Sequence, residues 1–180
     1  MTIAVMLDLE TLATGPDSVI LTLGAVKFNP HTLDSFGQGL YLRINVDEQI
    51  SLGRYVDDNT IEWWGKQKEN VREEALGVDG RISLNEMHKQ LNKFLVGVDD
   101  IWAQGPVFDI PILESLYRQM QWPIPWQYWQ IRDSRTLFGV HGDPREKDPN
   151  RHHNAFEDAL DQAKGVQLVY NQLNIRPRFA

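Results

Sequence analysis

The sequence predicts an α/β fold, a mixed sheet of about five strands flanked by helices. Three observations lead there. Short apolar segments fill the first 44 residues, amphipathic segments with helix-start signals take over after residue 57, and the two kinds then alternate in the order β-β-β-α-β-α-β-α. Strands that follow one another directly pair antiparallel, and strands separated by a helix pair parallel. The sheet should therefore be antiparallel at its start and parallel later.

Residues 3–9 read as a short buried strand, residues 18–28 as a second reached through the turn Gly15-Pro16-Asp17, and residues 36–44 as a third. From Asp58 the pattern turns helical through Thr60-Ile61-Glu62-Trp63-Trp64. Ser83-Leu84-Asn85-Glu86 is a capping-box signature that opens a helix to about Val96. Residues 101–103 form a short buried strand, 110–120 a helix, 130–133 a last strand, and 155–173 a closing amphipathic helix with Asn154 as its N-cap and Glu157 three residues on. The stretch 139–151, rich in Gly, Pro, Asp, Lys and Arg, reads as the least ordered.

The 180 residues suit one domain, 1–180, with apolar residues spread along the whole length. Without cysteine, disulfides, thiolate zinc sites and a cysteine nucleophile are excluded, so any metal must be held by oxygen or histidine. The net charge of −7 argues against a protein that coats duplex DNA, although not against an enzyme that grips a few terminal nucleotides. Met1-Thr2-Ile3-Ala4-Val5-Met6-Leu7 lacks a basic leader and meets Asp8 early, and no apolar run is long enough to span a bilayer. A cytoplasmic location and no membrane partner are expected.

Asp8 and Glu10 stand two residues apart at the end of an apolar strand, so both project from one face of the sheet. An isolated Asp-x-Glu is often just a solvated strand end. Here Met6-Leu7 before the pair and Leu9 within it place the acids beside a core, where ligands bind in open α/β sheets. Asp109 is the one charged group in Gly105-Pro106-Val107-Phe108-Asp109-Ile110-Pro111-Ile112-Leu113, and either an N-cap or a ligand role fits it. Asp158 falls in the first turn of the closing helix, where the helix dipole favours negative charge. His153 precedes it by five residues; His152 is its chemical rival. His31, His88 and His141 belong to no motif and read as solvated.

Phosphodiester hydrolysis needs the phosphate neutralised, a nucleophile generated near neutral pH and the leaving oxygen stabilised, and two cations roughly 3.5 to 4 Å apart do all three. Such a pair requires converging carboxylates, and an all-oxygen set suits Mg²⁺ or Mn²⁺. A histidine outside the ligand set is then available to take the proton from water.

Taken in order, Asp8-Leu9-Glu10-Thr11, Phe108-Asp109 and His153-Asn154-Ala155-Phe156-Glu157-Asp158-Ala159 resemble the three exonuclease motifs of the DEDDh family over about residues 4–170. That likeness implies a ribonuclease-H-like fold and release of 5′-mononucleotides from 3′ ends of single-stranded DNA or RNA. It implies two Mg²⁺ or Mn²⁺ ions, with Asp8, Glu10 and Asp158 around the first and Asp8 with Asp109 supporting the second. His153 takes the base role because its offset from Asp158 matches, whereas His152 is one residue out. Thr60-Ile61-Glu62-Trp63-Trp64 and Ile131-Arg132-Asp133-Ser134-Arg135-Thr136 look like segments of T-even phage exonuclease A and of bacterial 3′→5′ exoribonuclease-like domains, which points to a phage or prophage origin. Homodimers are common among similar enzymes, and oligomeric state stays open.

Substrate contacts are expected from Leu9 and Thr11, from Phe108 and from Arg135. Trp63 and Trp64 are adjacent on a helix and so point about 100° apart, which suggests that one is core and the other stacks a base. Arg132, Arg135, Arg145, Lys147 and Arg151 would form a basic rim, with a solvated loop an equal reading for Arg145 and Lys147. Two rivals share these features: a ribonuclease-H-type endonuclease, which the spacing of His153 from Asp158 disfavours, and a catalytically silent nucleic-acid-binding or polymerase-associated module.

Overall fold

In the computed structural model, which describes residues 2–34, 36–145 and 153–177, the first apolar run becomes strand β1 (Ala4–Thr11). β2 (Ile20–Phe28) returns antiparallel along β1, and β3 (Gly39–Arg43) antiparallel along β2. The chain continues through α1 (Val46–Ser51), α2 (Asp58–Gly65), α3 (Glu69–Leu76) and α4 (Leu84–Phe94). β4 (Asp100–Ala103) then pairs parallel with β1. After α5 (Pro106–Gln119), β5 (Ile131–Asp133) pairs parallel with β4, and α6 (Ser134–His141) and α7 (Ala155–Gln172) follow. Among the described residues the sheet has five strands in the order β3-β2-β1-β4-β5, antiparallel first and parallel later as expected. No helix among them is long and apolar enough to cross a membrane.

Alternation along β1 assigns the two faces of the sheet. Val5, Leu7 and Leu9 join a core with Leu91 of α4 and Ile112 and Leu116 of α5. Ala4 and Met6 face the opposite core, with Trp102 of β4 and Ala159, Ala163 and Val166 of α7. Both faces are thus covered, which is why β1 and β2 read as near-continuous apolar runs. A third cluster lies beyond the end of β1, where Leu12, Val19 and Leu21 meet Trp64, Val71 and Ala75.

Several elements differ from expectation. α1, α3 and α6 are only 6 to 8 residues long, too short for a periodic signal. α5 begins at Pro106 and not at Ile110, because Gly105-Pro106 is a helix start: Gly105 takes a left-handed φ of 91° as N-cap and Pro106 occupies the first helical position. β3 starts at Gly39, later than expected. The stretch expected to be least ordered begins inside α6, and its residues 146–151 lie outside the described residues. Both foreseen caps are present: Ser83 accepts from the Glu86 N–H, and Asn154 accepts from those of Phe156 and Glu157.

The paired tryptophans of α2 separate as the helical period requires. Trp64 is 1% exposed and its indole N–H donates to the Thr11 carbonyl at 2.9 Å, whereas Trp63 is 40% exposed. Trp64→Ala should therefore cost about 3–5 kcal/mol of stability, and Trp63→Ala far less. Denaturant unfolding of the two variants measures the difference; equal losses would contradict this packing.

Candidate active site

Asp8 and Glu10 continue the β1 face that Ala4 and Met6 occupy, so both point toward α7. A bulge after Glu10 ends the alternation: Glu10 pairs with Thr22 but Thr11 with Ile20. Thr11 is consequently 7% exposed, and its hydroxyl donates to the Ala13 carbonyl at 2.6 Å. From the other side, the start of α7 brings His153 and Asp158. It comes this close because β2 carries glycine opposite Asp8. A Cβ at Gly24 would fall 2.1 Å from the Ala155 carbonyl carbon, and one at Gly39 would fall 2.6 Å from the Phe156 ring. Neither glycine was singled out in the sequence, although a glycine inside an apolar strand is itself a sign of close backbone approach.

Asp109 sits in the first turn of α5 and is not its cap. It is 3% exposed and accepts a hydrogen bond from the Leu9 N–H at 3.1 Å, so this acid and the β1 strand end are locked together. Asp8, Glu10, Asp109, Asp158 and His153 all line one cavity of about 440 Å³, joined by Leu9, Phe108 and Arg135. One donor atom each from Glu10, His153 and Asp158 lies within 4.8 Å of the others. Thr11, Trp63 and Trp64 are outside the lining; Trp63 instead packs against the His153 ring, with centroids 4.7 Å apart.

Two glutamines in the wall escaped the sequence reading. Gln162, one helical turn after Asp158, is 4% exposed and donates from Nε2 to Asp8 Oδ1 at 2.9 Å, which orients that carboxylate. The signal was available, since residues four apart share a helix face. Gln104 lines the cavity at the end of β4 and its backbone carbonyl accepts from Arg135 Nη2 at 3.1 Å. Asp133 fixes this corner by capping α6: its carboxylate accepts from the N–H groups of Gly105 and Arg135 and from the Thr136 hydroxyl.

The expected basic rim is smaller than the sequence suggested. Arg132 is paired with Asp100 at 2.7 Å and stays outside the cavity lining. Arg145 is not a solvated loop residue: its side chain is 10% exposed, paired with Asp143, and stacked 4.7 Å over the Phe138 ring while it lines the cavity. Lys147 and Arg151 lie outside the described residues, as does His152. Nor are all the remaining histidines solvated. His88 stacks on Trp122 at 4.2 Å and His31 meets Tyr170 edge-on at 5.2 Å, so both are packing groups.

Residues 3–170 match the family model described as the 3′-5′ exoribonuclease Rv2179c-like domain. The chain belongs to that family. It is also 25% identical to the exodeoxyribonuclease of enterobacteria phage T4, over 73% of this chain and 68% of the phage protein. Among solved structures, the nuclease domain of 3′hExo, a DEDDh family member bound to rAMP, has a TM-score of 0.62 at 12% identity, covering 94% of this chain and 92% of that one. Cell-death related nuclease 4 has a TM-score of 0.66 at 16% identity, over 96% and 64% of the two chains. For the metal-free E. coli exonuclease I complex with single-stranded DNA the values are 0.62 and 14%, over 98% and 40%. The chain thus spans less than two thirds of the last two. At such identities the likeness is one of fold, and it is the expected ribonuclease-H-like exonuclease fold.

Electrostatics separate this family member's acids. Glu10 is pushed up to about 10, first by burial and then by the charges of Asp8, Asp158 and Asp109. Burial also raises Asp109, against the lowering influence of the Leu9 N–H, its own backbone N–H and Arg135. A buried carboxylate beside three further acids lacks a countercharge, and a divalent cation among oxygen donors would supply it. The donor set fits Mg²⁺ or Mn²⁺.

Proposed function

We propose that the chain hydrolyses single-stranded DNA or RNA from the 3′ end and releases 5′-mononucleotides, with two Mg²⁺ or Mn²⁺ ions held by Asp8, Glu10, Asp109 and Asp158. The observation that carries this reading is the convergence of the four carboxylates and His153 on one cavity. A ribonuclease-H-type endonuclease or a silent binding module gives no account of the imidazole beside Glu10 and Asp158.

When bound, the cations offset the charge of the phosphate and lower the pKa of water. The remaining work falls to the chain. His153 accepts the proton from the attacking water, Gln162 holds Asp8 in orientation, and Arg135 and Arg145 place positive charge near the phosphate in an otherwise acidic cavity. Leu9 and Phe108 offer the terminal nucleotide an apolar wall. The family model speaks of ribonucleotides and the phage relative of deoxyribonucleotides, so both polymers are candidate substrates. Parallel time courses on matched single-stranded DNA and RNA, with Mn²⁺ or with chelator, test the reading; cleavage unaffected by chelator would count against it.

Glu10 makes the cation requirement measurable without substrate. Between about 4.5 and about 10 the folded protein keeps a proton on Glu10 that the unfolded chain has lost, so the folded state binds more protons and stability falls as pH rises through that window. In cation-free protein Glu10→Gln should flatten this fall, and in the unaltered protein saturating Mn²⁺ should do the same. Thermal melts across pH measure both effects. An identical slope in Glu10→Gln would contradict the assignment.

A further inference from the structure

His153 is exposed and stands just before the N-cap of α7, where its backbone alone would leave the imidazole several rotamers. Its ring nevertheless lies in an aromatic corner. Trp63 meets it edge-to-face at 4.7 Å and 79°, Trp64 lies 6.3 Å away at 81°, and the two indoles brace each other at 5.0 Å and 78°. Trp64 is the anchor, buried and tied through its N–H to the carbonyl of Thr11, the residue after Glu10. The corner is therefore fastened to the strand end that carries Glu10, and the imidazole it touches has a donor atom within 4.8 Å of Glu10 and Asp158.

We propose that Trp63 and Trp64 form a dock for His153, with Trp63 the positioning residue that keeps the imidazole beside the acids. The proposal rests on the reading of His153 as the base. Trp63 lies outside the cavity lining, and the rings it contacts are those of His153 and Trp64, so its observed packing is intramolecular and edge-to-face. Holding the imidazole in one orientation removes a search that each turnover would otherwise include.

Two measurements on the full chain test the dock. In cation-free protein, the His153 ring-proton resonances, identified by their absence in His153→Ala, should be displaced from random-coil positions by the indole ring currents and should move back in Trp63→Leu. In turnover of a 5′-labelled single-stranded oligonucleotide with Mn²⁺, Trp63→Leu should lower kcat about 10- to 100-fold. KM and Mn²⁺ affinity should change by less than about twofold, and Trp63→Phe should recover most of kcat. Random-coil His153 resonances in the unaltered protein would overturn the dock without recourse to any variant. A raised KM at unchanged kcat would overturn it in favour of base stacking by Trp63. Full turnover by His153→Ala, with the resonances of the unaltered protein displaced, would instead overturn the base reading and with it the positioning role.

Discussion

Asp8→Ala and Asp158→Ala should each reduce cleavage to background while the fold remains intact. Both side chains line the cavity, and both help to raise Glu10. Removing either weakens cation binding and also relieves repulsion on Glu10. Asp8→Ala also leaves the buried Gln162 Nε2 without its acceptor, a cost of about 1–3 kcal/mol that offsets part of the relief in cation-free protein. Calorimetry with Mn²⁺ and thermal melts give both quantities. Turnover like that of the unaltered protein by either variant, in a preparation free of contaminating nuclease, would remove the basis of the two-metal reading.

His153→Ala should lower turnover about 10²- to 10⁴-fold while cation affinity stays nearly unchanged. The reason is chemical. Hard divalent cations take oxygen donors, and the carboxylates supply them, which leaves the imidazole for the proton. His152→Ala should be mild. If His153→Ala bound Mn²⁺ far more weakly, the histidine would be a ligand; if His152→Ala were the inactive one, the base would be the neighbour.

The parts of the site that could be read from sequence are those governed by local periodicity. Asp8 and Glu10 share a face because strands repeat every two residues, and His153 and Asp158 straddle a helix start that Asn154 marks chemically. What could not be read depends on packing between distant segments. Nothing local says which of Trp63 and Trp64 turns inward; the cluster of Leu12, Val19 and Leu21 decides it. Arg132 and Arg135 are three residues apart, yet one is paired with Asp100 on the sheet and the other lines the cavity, because the chain passes from strand to helix between them. The start of α5 was misplaced for a different reason. Gly-Pro is as good a turn as a helix opening, and only the left-handed φ at Gly105 tells them apart.

The most direct test of the central reading is the product pattern from a 5′-labelled single-stranded oligonucleotide, sampled at early times with Mn²⁺ and run for DNA and RNA side by side. The expected result, for at least one polymer, is a ladder that shortens one nucleotide at a time from the 3′ end, with a chelator-sensitive rate and 5′-mononucleotides as the released product. Internal fragments before any terminal shortening, or binding with no cleavage of either polymer, would contradict it.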